Sequence, residues 1–392
     1  MTKSVRIAAV AILFATLQVV ACLPSVAQTT YDTAVQINPA HTGNIVFPGG
    51  FTPPLKQEWS VNLGGLVSYP LIANGIAYVT VQDPKQVASR LVALNLTTGA
   101  TIWSQSIKGT YGTSLAAYDA GIVFDLNFNG LLQAYSAESG TLLWGTKLPK
   151  MYAFGSPPIA SNGTVYVGGD GVGGDAYAVN EQTGKLIWTT FLDEGASTPA
   201  FGGSRVYMDT ACIYTSFNYK TGKQLWQTGR PCFGGSNYIP VYYNNQVFDQ
   251  DIAPLGGSVA LTANLGQLLW SFASGGPPAI WPGNQSDPLQ ISSYGSNLTA
   301  LDATNGSPVW TFTGDSAFAE PPITINNVVA IGSIDNTLYI LDAATGVKLW
   351  STSIPGATGS LSDVGTFEWL GAGEGTLVVP VETSLLAFVQ AN

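Results

Sequence analysis

The residue types that could do chemistry in this chain are aromatic rings, carboxylates, two cysteines and one histidine. Seven irregular segments, starting near 108, 149, 192, 229, 273, 313 and 356, carry Tyr111, Tyr152, Phe154, Phe233, Tyr238, Trp281, Phe318, Phe367 and Trp369. The same segments hold Asp193, Glu194, Asp315, Glu320, Asp363 and Glu368. Rings and carboxylates gathered at one mouth would stack a sugar, a flat cofactor or a partner's side chains. The same rings would equally serve as an apolar plug. Cys212 and Cys232 are an even pair in a chain that starts with an export-type leader, which points to a disulfide, with two buried thiols as the alternative. Closing a loop of that size is worth about 3 kcal/mol, so the pair reads as a loop staple.

His41 is the only histidine. A Ser-His-Asp triad or a histidine zinc site would have to be built from the segment ahead of the repeats, and a turn role beside Pro39 is simpler. In GGDGVGGDAY, 168–177, Asp170 and Asp175 could share a hard cation. That spacing occurs once and a hairpin explains its glycines, so no metal site is expected.

A repeat must position these groups. LVALNLTTGATIW (91–103), LQAYSAESGTLLW (132–144), AYAVNEQTGKLIW (176–188), YTSFNYKTGKQLW (214–226), SVALTANLGQLLW (258–270), LTALDATNGSPVW (298–310) and LDAATGVKLW (341–350) share one pattern. A glycine stands four residues before each tryptophan (Gly99, Gly140, Gly184, Gly222, Gly266, Gly306, Gly346), and Ala93, Ala134, Ala178, Ser216, Ala260, Ala300 or Ile340 stands six before the glycine. A polar stretch ending in glycine is a hairpin turn with positive φ. The residue before each tryptophan is also apolar (Ile102, Leu143, Ile187, Leu225, Leu269, Val309, Leu349), which implies that both faces of that strand are buried between stacked sheets.

Trp59 starts the series, followed by Trp103, Trp144, Trp188, Trp226, Trp270, Trp310 and Trp350, at intervals of 38 to 44 residues. With four strands per interval this predicts an all-β, eight-bladed β-propeller. Only three strands follow Trp350, so the strand around Trp59 is expected to close the eighth blade and remove the open edge. Alternating strand direction puts the irregular segments on one face and the glycine turns on the other. A localised function belongs on the irregular face.

Residues 1–27 read as an export signal with a basic start, an apolar run and a small-residue step before Gln28; Val19-Val20-Ala21-Cys22 also fits a lipobox, in which Cys22 would carry a lipid. Residues 28–54 form an extended arm and 55–392 the propeller. The formal net charge is −10, and losing Lys3 and Arg6 with the leader takes it to −12. Such a surface repels nucleic acid and anionic lipid. The protein is expected outside the cytoplasm, periplasmic, outer-membrane-associated or secreted, as a monomer that meets a membrane only through the lipid anchor.

The AxxxxTGxxxW element, complete in Ala93 to Trp103 and Ala178 to Trp188, resembles the tryptophan-docking motif of the pyrroloquinoline-quinone (PQQ) type propeller repeat. QINPAHTG, ending at Gly43, is similar to the leader on many exported PQQ-repeat proteins. The family has two branches, large quinoprotein dehydrogenases and noncatalytic BamB-like propellers. The resemblance implies a noncatalytic envelope scaffold that binds a protein partner through its irregular face. Its alternatives are a propeller that binds carbohydrate or cell wall, and a quinoprotein in which PQQ stacks in the channel with Ca²⁺ polarising the quinone and a carboxylate accepting the alcohol proton. An adjacent Cys-Cys pair and a CxxCH motif are both absent from the sequence. The expectation is therefore no enzyme and no cofactor. A partner motif like that of BamB is also missing, because 191–203 reads FLDEGASTPAFGG, acidic where a basic contact would be expected.

Overall fold

The computed structural model describes residues 30–83, 88–107, 114–171, 173–192, 195, 197–210, 213–229, 239–251, 257–272, 276–283, 287–318, 320–354 and 368–391. Every regular element among them is a strand. Blade 1 contains Leu71–Ala73, Ile76–Asp83, Ala88–Asn95 and Thr101–Ile107 as an antiparallel sheet, and blades 2 to 7 take the next strands in order, beginning at Ser114, Ile159, Ala200, Val241, Ala279 and Ile323. Blade 8 holds Gly371–Gly373, Thr376–Val381 and Ser384–Gln390. Its outermost place is taken by Leu55–Asn62, antiparallel to Ser384–Gln390 with Trp59 opposite Ala387. The chain is an all-β, eight-bladed propeller.

The register explains the repeat. Each small residue lies directly across from its tryptophan: Ala93 from Trp103, Ala134 from Trp144, Ala178 from Trp188, Ser216 from Trp226, Ala260 from Trp270 and Ala300 from Trp310. A large side chain there would compete with the indole for the same face. Six of the indoles donate their Nε1–H to a carbonyl of the next blade, Trp59 to Leu96 and Trp103 to Ala137 among them, at 2.7 to 3.0 Å. The ring also covers the next blade's turn glycine. A Cβ added at Gly99, Gly140, Gly184, Gly222, Gly266, Gly306 or Gly346 would fall 2.5 to 2.8 Å from that ring, and all seven glycines have φ between 66° and 75°.

One expectation fails. The residues before the tryptophans are 42% to 51% exposed, not buried on a second face. The pairing jumps at this point, with Ala93 opposite Trp103 but Leu94 opposite Thr101, so Ile102 is the extra residue of a β-bulge. Leu143, Ile187, Leu225, Leu269, Val309 and Leu349 take the same place in their blades. A bulge turns the strand so that the indole meets the next blade and the residue before it is left at the rim.

Blade 3 separates the two demands on its glycines. Gly184→Ala meets Trp144 at 2.6 Å with φ 66°, whereas Gly163→Ala has φ 78° and open space around its Cβ. We expect Gly163→Ala to cost about 1 kcal/mol and Gly184→Ala about 2 to 4 kcal/mol. Equal shifts of the two denaturant midpoints would show that the ring contact adds nothing.

Candidate ligand site at the propeller axis

The innermost strands are short, and each leaves an amide pointing at the axis. The arm supplies acceptors for seven of these. Ile72, Tyr118, Phe201, Tyr242, Ile280 and Thr324 donate their N–H groups to the carbonyls of Asp32, Thr33, Pro39, Ala40, Thr42 and Gly43 at 2.7 to 2.8 Å, and Ala372 donates to Asp32 Oδ2 at 3.1 Å. Asn44–Ile45 then pairs in parallel with Ile323–Ile325. His41 donates its N–H to the Asn38 carbonyl, closing the turn around Pro39 that the sequence suggests, but it lies inside the propeller, fully buried, with Nδ1 2.9 Å from the Pro240 carbonyl. Burial lowers its pKa to about 4, so it is neutral.

Above the arm, one buried apolar cluster joins Val35 with Tyr69, Leu115 and Ile239 of blades 1, 2 and 5, and Trp369 packs against it. Around it, side chains just ahead of the innermost strands cap amides twelve residues later. Ser68 Oγ accepts from Thr80 N (3.0 Å), Ser197 Oγ from Asp209 N (2.9 Å) and Glu320 Oε1 from Gly332 N (3.1 Å). Glu320 Oε2 accepts from Leu370 N at 3.1 Å, tying blade 7 to blade 8. Glu368 occupies the corresponding place in blade 8, but the residue twelve later is Pro380, which has no N–H to give. Its Oε2 is buried with no hydrogen-bond partner among the described residues.

Burial, with the Glu368 charge as a smaller contribution, raises the Glu320 pKa to about 8, while its two backbone donors hold it down. Burial and then the Glu382 charge raise that of Glu368 to about 7. Asp125, beside Ser114 at the seam of blades 1 and 2, is raised to about 7 by burial. Burial and then Asp119 raise Glu181 to about 7. Asp32 is raised by burial against the Ala372 N–H. Sequence reasoning missed Asp32, Asp125 and Tyr69 as axis residues. The Ser-to-Glu change at a twelve-residue spacing, together with Pro380, was the signal available for Glu368.

The ring of aromatics expected at the mouth does not assemble. Phe154 is 1% exposed, lies over Gly130 and is tilted against Tyr177, so it is core between blades 2 and 3. Phe318 packs with Phe312 and Tyr339 at the seam of blades 6 and 7. Asp315 is a loop cap that accepts from the Thr337 hydroxyl at 2.6 Å. Trp281 ends the innermost strand Ala279–Trp281 and donates to Asn326 O in the first turn of blade 7, which puts it toward the opposite face. Tyr152 is 67% exposed. Of the expected set, Glu320, Glu368 and Trp369 come together at the axis. Tyr111, Phe233, Tyr238, Asp193, Glu194, Asp363, Phe367, Cys22, Cys212 and Cys232 lie outside the described residues.

Asp170 and Asp175 sit on the two strands of one hairpin, Thr164–Gly171 and Gly173–Asn180, with Gly169 opposite Asp175 and Asp170 opposite Gly174. Their side chains therefore leave opposite faces and cannot share an ion. Asp175 faces Lys150 Nζ at 3.5 Å.

A family profile described as "Outer membrane protein assembly factor BamB" matches residues 87–248 and 255–381. The chain belongs to this family of PQQ-repeat propellers. Among curated relatives, the tetrathionate hydrolase of Acidithiobacillus ferrooxidans is 28% identical over 200 residues, 44% of this chain and 39% of the hydrolase. Quinoprotein alcohol dehydrogenase PedH of Pseudomonas putida is 26% identical over 259 residues, 56% of this chain and 42% of the dehydrogenase. The chain thus matches about two fifths of the length of these two relatives. A solved europium-containing methanol dehydrogenase superposes with TM-score 0.71 at 14% identity, covering 92% of this chain and 98% of its own. BamB from Moraxella catarrhalis superposes with TM-score 0.64 at 15% identity, covering 86% and 99%. At these identities the structures share the fold. The BamB-like propeller character and an exported, envelope-side location agree with these relationships.

The expectation that the chain is not an enzyme is corrected by the same findings. Its curated relatives include the hydrolase and quinone-dependent alcohol dehydrogenases, and they match as well as the assembly factors do. The cofactor the dehydrogenases imply can be tested against the residues present. PQQ is a flat tricarboxylate. The described axis offers it Asp32, Glu320 and Glu368 and a filled apolar cluster, with no lysine or arginine among the causes that shift these carboxyls. Carboxyls already driven toward their protonated forms by burial supply no cation to offset the desolvation of three further carboxylates. The described residues do not fit the group.

The raised carboxyls set a sign for stability. Each binds its proton more tightly in the folded chain than in the unfolded one, so their contribution is full below about pH 4 and is lost as the pH climbs through about 7 to 8. The thermal midpoint is expected to fall between pH 5 and pH 8.5, with Glu320→Gln flattening the alkaline end of the curve. A midpoint that rises over this range would contradict the assignment.

Proposed function

We propose that this exported propeller recognises a neutral, hydroxyl-bearing ligand of the cell envelope, an alcohol or a sugar, at the irregular end of its axis. The observation that carries the reading is the Glu368 carboxyl, buried next to Trp369 with an oxygen that Pro380 cannot cap. Among the described residues the Glu382 backbone N–H donates to this carboxyl, but Oε2 has no donor; an unpaired buried acceptor is costly, and a ligand hydroxyl would remove that cost. Glu320 and Glu368 offer a phosphate or sulfate ester no countercharge, so a neutral ligand suits the site. With its pKa near 7, Glu368 is poised to take up or return a hydroxyl proton at neutral pH. The alcohol dehydrogenases among the relatives act on this class of group by name. Oxidising a bound alcohol would also require a two-electron acceptor, and the proposal is confined to recognition and proton transfer.

A second reading, docking of a protein partner on the irregular face, is supported by the family's assembly-factor description and by the exposed Tyr152 on that face.

Calorimetric titration of a panel of alcohols and oligosaccharides, run beside dye-linked oxidation, tests the first reading. Glu368→Gln should weaken the best ligand at least tenfold without lowering the thermal midpoint, and Trp369→Ala should weaken it as well. If the wild type binds nothing in the panel while crosslinks placed near Tyr152 capture an envelope protein, the second reading replaces the first.

A further inference from the structure

We propose that residues 32–43 of the arm are the propeller's own axial ligand, an intramolecular peptide that fills the channel from the glycine-turn end in place of a cofactor. The proposal stands on backbone geometry and is independent of the ligand assigned to the irregular end.

The arm is built as a ligand. Six of its carbonyls and one carboxylate oxygen accept from inward amides of blades 1, 2, 4, 5, 6, 7 and 8, so the segment travels almost once around the axis. Turning a peptide in so tight a circle with its carbonyls outward requires unusual backbone angles. Gln36, Ile37, His41 and Gly43 have φ of 56°, 75°, 56° and 59°. A β-branched residue such as Ile37 rarely adopts a positive φ, and such a conformation persists only where the surroundings over-determine it. Here they do, because Ala34, Val35, Ile37 and His41 are all fully buried. Pro39 contributes a carbonyl and has no N–H of its own to satisfy. The glycine-turn end is identified by Thr30 O, which accepts from Glu374 N, and Ile45 O, which accepts from Asn326 N, both in turns between first and second strands.

This recognition follows the logic of strand addition, in which main-chain hydrogen bonds to exposed edges give affinity. The difference is that seven separate edges converge on one peptide. A cofactor on the axis at this level would have to displace the seven acceptors, and it would leave the inward amides without partners.

The test uses the full mature chain with a protease site inserted between Gly49 and Gly50, which are exposed with open space around them, cut after folding. The freed N-terminal peptide is expected to co-elute with the propeller on gel filtration and to leave only on unfolding. In the same cut protein, Gly43→Ala should speed its release more than tenfold, because the position has φ 59° and the added Cβ would press on Ala279 Cβ at 3.0 Å and its Cα at 3.2 Å. Equilibrium dialysis of intact protein against PQQ with Ca²⁺ should show no retained cofactor. Prompt loss of the peptide from the cut wild type, or one PQQ retained per intact chain, would overturn the proposal.

Discussion

The contact on which the rest of this propeller depends is an indole lying on a glycine of the neighbouring blade. It demands a turn with positive φ, the absence of a Cβ and a bulge that aims the ring, and together these account for the alanine, glycine and tryptophan spacing. Each such contact buries a large aromatic surface, and six of the seven also satisfy the indole N–H with a carbonyl at the same seam, which makes neighbouring blades adhere without charge pairs. Only two ion pairs occur among the described residues.

The same logic identifies the seam that lacks this contact. Blade 8 takes its third and fourth strands from opposite ends of the chain, so it has no hairpin glycine for Trp350 to cover, and Trp350 meets Phe388 edge-on instead. Carboxylates hold blade 8 where the aromatic contact is missing. Glu320 reaches from blade 7 to Leu370 N, Asp32 joins Ala372 N to the Ile72 backbone of blade 1, and Glu374 accepts from Gly75 N at 2.6 Å. Hydrogen bonds to charged or strongly polar groups are among the stronger ones available, but burying Glu320 and Asp32 favours their protonated forms. The closure of the ring and the preference for acid therefore have one cause.

Much of the fold was legible because tryptophan and glycine spacing is a direct record of contacts between blades, and that record survives in sequence however the loops vary. The bulge was not legible. An apolar residue before each tryptophan looks the same whether it faces a neighbour or the rim, as Ile102 and Leu349 do. Trp281 was misplaced because its innermost strand is only three residues long, too short for alternation to register within 273–288. The arm's path was not legible, since QINPAHTG marks a leader without saying where it goes, its partners are spread from Ile72 to Ala372 and its backbone is strand-like only at Asn44–Ile45. At the site, Glu320, Glu368 and Trp369 were visible as polar and aromatic residues ahead of a strand, whereas their burial depends on the arm beneath them.

What the axis can accept follows from how it is filled. The inward amides would make a ring suited to an anion if they were free, but the arm has taken seven of them, six through carbonyls and one through the Asp32 carboxylate, and the described polar groups at the irregular end include the Glu320 and Glu368 carboxyls. The electrostatic character of the channel is thereby inverted, from one that would favour phosphates and carboxylates to one that favours neutral or hydrogen-bond-donating groups. Replacing a short arm would change what the axis offers without touching any blade, so the fold and the repeat do not by themselves fix the chemistry.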